Sequence, residues 1–168
     1  MTFTQQILAT LIGTIAGFIF GLFLFYITET IKYNKQKYGI LKYLRRDIDY
    51  NLSLLNNFLS EIQKTITKIT ANDRQVYYYF KYSWVQRLFL QEAFRFGLLY
   101  DKLTNDDLSN LNAILLKFDI IGEGIINDKI KAWKENTISQ QDMLKYIEFE
   151  RDMLEEYIKN LKAIRDKI

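Results

Sequence analysis

The chain has 168 residues, 23 Lys and Arg against 20 Asp and Glu, and neither histidine, cysteine nor proline. Without cysteine there is no disulfide framework and no thiol chemistry. Without histidine as well, the usual zinc ligands, Cys–His nucleophiles and Ser–His triads are all excluded.

The first element is ILATLIGTIAGFIFGLFLFYI, Ile7 to Ile27, in which none of 21 positions is charged. At 1.5 Å per residue such a helix reaches about 32 Å, close to the ~30 Å hydrocarbon thickness of a bilayer. A buried core helix is usually shorter and carries polar positions. A secretory signal needs a basic leading region and a small-residue cleavage site. Here MTFTQQ precedes the run, and bulky Phe23, Leu24, Phe25 and Tyr26 stand where cleavage would fall. The expectation is a retained transmembrane anchor over residues 1–28.

Within that run Ala9, Gly13, Gly17 and Gly21 recur every four residues. In lipid, helices associate through close backbone approach, which small residues permit. The series is expected to be a helix–helix interface and the chain a homo-oligomer, with Thr10 and Thr14 flanking that face. The plain alternative is that glycine is simply common in membrane helices.

A basic juxtamembrane segment, 29–39, follows and its charge continues into the next helix. Lys32, Lys35, Lys37, Lys42, Arg45 and Arg46 are six cations with no acid among them, while the other flank of the apolar run has none. The positive-inside rule then places the N-terminus outside and the rest in the cytoplasm, at the inner face of the cell membrane. Tyr26, Tyr33 and Tyr38 suit the interfacial aromatic belt, and the six cations are placed to meet lipid headgroups. The plain reading is an ordinary topology signal with no regulatory meaning. Setting those six aside leaves 17 cations against 20 acids. The excess positive charge is therefore local to the anchor and gives no case for specific nucleic-acid binding.

Residues 40–168 are expected to form one helical cytoplasmic domain. The first helix spans about Ile40 to Ile69, with Leu41, Ile48, Leu55, Ile62 and Ile69 at one heptad position and Leu44, Asn51, Phe58 and Thr65 at another. Leu52, Leu59 and Ile66 widen the stripe to bundle width. Asn51 on that stripe is read as a register-fixing polar group. Gly39 is a hinge or a tolerated helical glycine.

ANDR, Ala71 to Arg74, marks a turn. The aromatic run Tyr77, Tyr78, Tyr79, Phe80, Tyr82, Trp84, Phe89, Phe94 and Phe96 follows. It is read as core, with a ligand pocket or docking surface as the alternative. Val76 to Tyr79 has strand character but no partner strand. A helix is expected from Ser83 to near Gly97, a suitable residue to terminate it.

Thr104 with Asp107 forms a capping-box start. Leu108, Leu111, Leu115, Phe118, Ile121, Ile125 and Ile126 then continue at helical spacing, so one helix is expected, kinked at Gly122 or Gly124. Ser139 with Asp142 repeats the start signal. Met143, Ile147, Leu154, Tyr157, Leu161, Ile164 and Ile168 complete the last stripe. The carboxylates Glu148, Glu150, Asp152, Glu155 and Glu156 are read as a solvated face, because bundle di-metal sites require Glu-x-x-His pairs. The fold class is thus all-α: a transmembrane helix followed by a roughly four-helix cytoplasmic bundle.

The run LRRDIDYNLSLL, Leu44 to Leu55, followed by Trp84 and FGLLYDKL, Phe96 to Leu103, resembles a group of uncharacterised prokaryotic single-pass membrane proteins. The resemblance covers roughly the first 120 residues. It implies a short N-terminal anchor with a helical cytoplasmic domain, and carries over no catalytic residue.

No catalytic, cofactor or metal residue is assigned. The expected role is a non-enzymatic, membrane-anchored interaction or scaffold protein with a protein partner. A membrane-disrupting effector assembled through the glycine face, or a membrane-tethered sensor of a small ligand, are the alternatives. A span lined only by Thr argues against a water-filled channel.

Overall fold

The computed structural model describes residues 2–76 and 78–168; Tyr77 of the aromatic run lies outside them. The described residues form five α-helices and no strand: α1 (Phe3–Thr70), α2 (Leu88–Arg95), α3 (Asn105–Lys117), α4 (Ile120–Lys134) and α5 (Gln140–Lys167). A short 3₁₀ turn, Tyr82–Trp84, precedes α2. The chain divides into two compact units, Met1–Gly39 and Ile40–Ile168.

The first unit is the leading part of α1. Every residue from Ile7 to Ile27 is exposed, so this apolar surface finds no partner among the described residues. The helix is long and apolar enough to cross a membrane. No helix starts afresh at Ile40; Gly39 is helical, and the space beside it would accept a methyl group.

The second unit has one core. Along α1 the buried residues are Ile40, Leu44, Ile48, Asn51, Leu54, Leu55, Phe58, Ile62, Thr65 and Ile69, the broad stripe that the heptad spacing marks out. The helix ends in the expected turn. Asn72 takes the left-handed conformation, φ 54°, so that its N–H reaches the Ile69 carbonyl and that of Asp73 the Lys68 carbonyl. Those two bonds close the last turn of the helix.

Three further passes along the bundle axis follow α1. From Arg74 the chain runs back along α1, with Phe80 and Tyr82 against Phe58, Gln86 at Asn51 and Phe89 at Asp47. α3 and α4 make the third pass and α5 the fourth, the latter starting at the end of α1 (Gln140 to the Ile69 carbonyl) and returning to Asp49 through Arg165.

The second pass is less helical than its sequence predicts. α2 begins at Leu88, five residues after Ser83, because side chains from other elements hold the preceding backbone. Asn127 of α4 accepts from the Phe80 N–H and donates to its carbonyl. Asn51 does the same at Gln86, accepting at 2.7 Å and donating at 2.9 Å. A backbone whose donors and acceptors are met this way has no need of helical bonds. α2 ends as expected at Gly97, whose φ of +70° few other residues tolerate. Leu98 and Gly97 then donate to the Ala93 and Phe94 carbonyls.

The third pass is two helices rather than one kinked helix, which makes five in place of the expected four. Phe118 leaves helical geometry (φ −91°, ψ 62°), and Asp119 caps α4 by accepting from the Gly122 N–H at 2.7 Å. Arg87 donates to the Phe118 carbonyl freed by the break. Gly122 fits this corner because any Cβ there would run into the Lys117 carbonyl. The break changes the helical phase. Ile126 stays buried, whereas Ile121 and Ile125, placed on the buried stripe by their spacing, are exposed.

Both capping signals are observed. Thr104 and Asp107 exchange side chain-to-backbone bonds as a capping box, and Ser139 accepts from the Asp142 N–H. The α5 stripe buries Met143, Ile147, Leu154, Ile158, Leu161 and Ile164, and it also buries Glu150.

Candidate functional site

Glu150 is the main departure from the sequence reading. It is not on the solvated face: it is 1% exposed, on the inner stripe of α5. Its Oε1 accepts from Lys117 Nζ at 2.6 Å, and Oε2 accepts from the Tyr82 hydroxyl at 3.3 Å. Lys117 also lies over the Tyr82 ring, 6.0 Å from its centroid. Three of the four passes therefore meet at one buried charge pair, around which Phe58 and Phe118 pack against the Tyr82 ring at 5.3 and 4.8 Å.

Burial, with the Glu150 charge beside it, raises the Tyr82 phenol far above its ordinary value; the same two causes raise Tyr146. Both hydroxyls thus stay protonated. The Tyr146 hydroxyl is itself buried on the Glu150 side of the core. Enclosed in this way, the pair locks α3, α5 and the returning segment in register. Its spacing was readable, since position 150 falls between 147 and 154 on the stripe; its charge pointed the other way.

The aromatic run divides. Phe80 and Tyr82 are fully buried, Tyr78, Phe89, Phe94 and Phe96 half-buried, and Tyr79 and Trp84 exposed. Tyr78 and Tyr79 border an open groove of about 620 Å³ against α4, lined also by Asn127, Ile130, Lys131 and Lys134. That volume is in the range of small-ligand sites. Its best-placed polar group, the Asn127 amide, is already committed to Phe80 and to the Glu123 carbonyl.

Three further carboxylates, buried or partly buried, serve the frame. Asp107 accepts from Lys167 at 2.7 Å and from Thr104, which hold its carboxyl below the usual range. Glu123 is raised by burial, but the Ser83 hydroxyl and N–H together with Lys81 outweigh that and lower it. Asp47 is raised by burial, partly offset by the Phe89 N–H. Among the described residues no group of three or more carboxylates is gathered as a metal site.

In the first unit, Gly13, Gly17 and Gly21 have open space where a Cβ would be, and Ala9 shares their exposed stripe. Thr10 and Thr14 turn their hydroxyls onto the Gln6 and Thr10 carbonyls, so both are satisfied within the helix. Of the six cations Lys32, Lys35, Lys42, Arg45 and Arg46 are exposed and Lys37 is half-buried; Lys32 pairs with Glu29 at 2.8 Å. No protein-family model, curated protein or solved structure matches this chain.

Proposed function

We propose that this chain is a single-pass membrane protein that holds a helical bundle at the cytoplasmic face of the membrane, where the bundle binds other proteins or its own copies without catalysing a reaction. The observation that carries this reading is the wholly exposed apolar surface of Ile7 to Ile27. Leaving such side chains in water costs about 1.5–3 kcal/mol for each large one, and a bilayer is the solvent that removes the cost. The six cations on one flank supply the orientation and meet the headgroups. The small-residue face of Ala9, Gly13, Gly17 and Gly21 supplies a route to homo-oligomers.

A non-catalytic role is supported by what surrounds the buried charge pair. Glu150 and Tyr82 are sealed from solvent by apolar side chains, and both are spent on holding the bundle together. The anchored architecture is also that of the prokaryotic single-pass group which roughly the first 120 residues resemble.

The test is extraction of a membrane fraction from expressing cells. Alkaline carbonate should leave the chain in the pellet and detergent should release it. Release by carbonate or by 1 M salt would reduce the attachment to a peripheral one, and the reading would fail.

A further inference from the structure

α2 begins at a residue poorly suited to start a helix. Arg87 stands at its N-cap and makes no capping bond; its side chain donates to the Phe118 carbonyl instead. Good N-caps are short side chains that accept from the first turn, Ser, Thr, Asp and Asn above all. Such a residue lies four positions earlier. Ser83-Trp84-Val85-Gln86 has the S-x-x-Q spacing of a capping box, in which the serine hydroxyl accepts from the glutamine N–H and the glutamine side chain accepts from the serine N–H. A helix begun there is close to the one that the sequence predicts.

Both backbone donors that this box would satisfy are taken, each by a side chain of another helix. The Ser83 N–H donates to Glu123 of α4 at 3.1 Å, and the Ser83 hydroxyl donates to the same oxygen at 2.6 Å. The Gln86 N–H donates to Asn51 of α1 at 2.7 Å, and the Asn51 amide donates back to the Gln86 carbonyl at 2.9 Å. The Gln86 side chain turns to the Trp84 carbonyl at 3.3 Å. Glu123 and Asn51 thus supply from a distance what the box would supply locally. Between the two clamps Val85 has φ −60° and ψ 119°. Its φ is already helical, so a rotation in ψ separates it from the helix.

Packing decides which state is the resting one. The clamped state keeps Val85 buried and Gln86 exposed. Helical spacing would bring Gln86 onto the face of Leu90 and Ala93, both buried, and carry Val85 off it. Core packing and the two clamps therefore favour one structure, and the local sequence favours the other. Conflicts of this kind between local signal and distant contacts mark functional or strained segments.

We propose that residues 83–87 are a two-state switch. Clamped by Glu123 and Asn51 they form the returning strap; released, they extend α2 by one turn behind the Ser83–Gln86 capping box. In the extended state Trp84 joins Leu88 and Gln91 on the outward face of α2, at positions i, i+4 and i+7. In the clamped state it belongs to the 3₁₀ turn. The switch changes the surface that the bundle presents.

The test is the backbone conformation of this segment in the full-length chain in micelles, read from ¹³Cα chemical shifts at Trp84 to Arg87. Wild type should give non-helical values at Val85. Asn51→Leu and Glu123→Ala remove one clamp each and should both move the shifts toward helical values, the double variant furthest. In the double variant the Leu88 and Leu90 amides gain the Trp84 and Gln86 carbonyls as acceptors, and should exchange with solvent roughly tenfold more slowly. Adding Ser83→Ala removes the cap and should reverse most of the helical shift. Random-coil shifts across residues 84–87 in the clamp variants would overturn the proposal, because no helix would then be latent. Shifts unchanged from wild type would overturn it as well, because these clamps would not be what holds the strap. Glu123→Ala alone, at the rim of the core, reads the same outcomes if the Asn51 variants do not fold.

Discussion

Lys117→Met should destabilise the bundle by about 3–5 kcal/mol, because it leaves the Glu150 carboxylate buried without a countercharge. Lys117 Nζ sits 2.6 Å from Glu150 Oε1, and the Tyr82 hydroxyl alone is a poor substitute at 3.3 Å. The pair itself gains little over an apolar pair of similar volume, since both charges had to leave water. The double variant Lys117→Met/Glu150→Leu should therefore recover most of the loss. Urea unfolding of the full-length chain in micelles measures all three, with buried Trp133 as the fluorescent probe. An unaffected single variant, or a double variant worse than the single, would show that Glu150 has another partner or reaches water.

Phe58→Ala should cost a similar ~3–5 kcal/mol, the usual range for a buried phenylalanine. Phe58 is 1% exposed and its ring meets Phe80 at 5.9 Å and Tyr82 at 5.3 Å. With Asn51 at Gln86, it is one of the contacts by which α1 holds the non-helical part of the returning segment. Tyr79→Ala on that segment should stay within ~0.5 kcal/mol, as exposed positions do. The comparison separates core from surface within one aromatic run. Equal costs at the two positions would mean that the run packs as a unit and that Tyr79 is covered by something in solution.

What could be read in the sequence depended on whether the cause was local. The α1 stripe, the turn after Thr70, the Gly97 terminus, the Thr104–Asp107 capping box and the Ser139 cap each follow from residues within a few positions of one another. The late start of α2 does not. It is imposed by Asn51 and Asn127, which lie 35 and 47 residues from the backbone groups they bind. Asn51 was visible as a polar residue on an apolar stripe, but its partner was not. The division of α3 from α4 was hidden for another reason. The spacing of Phe118, Ile121 and Ile125 continues a helical period across the break, and only the packing of Gly122 against the Lys117 carbonyl betrays it. Glu150 was misread because charge outweighed position. The side chain that completes it, Lys117, comes from a different helix.

The most direct test of the anchored, inward-facing bundle is protease protection of a C-terminal tag on the full-length chain in spheroplasts. Protease added outside should leave the tag intact until the membrane is opened with detergent, after which it should be lost. Lys32, Lys35, Lys37, Lys42, Arg45 and Arg46 predict that result through the positive-inside rule. Loss of the tag from intact spheroplasts would put the bundle on the outer side and contradict the account.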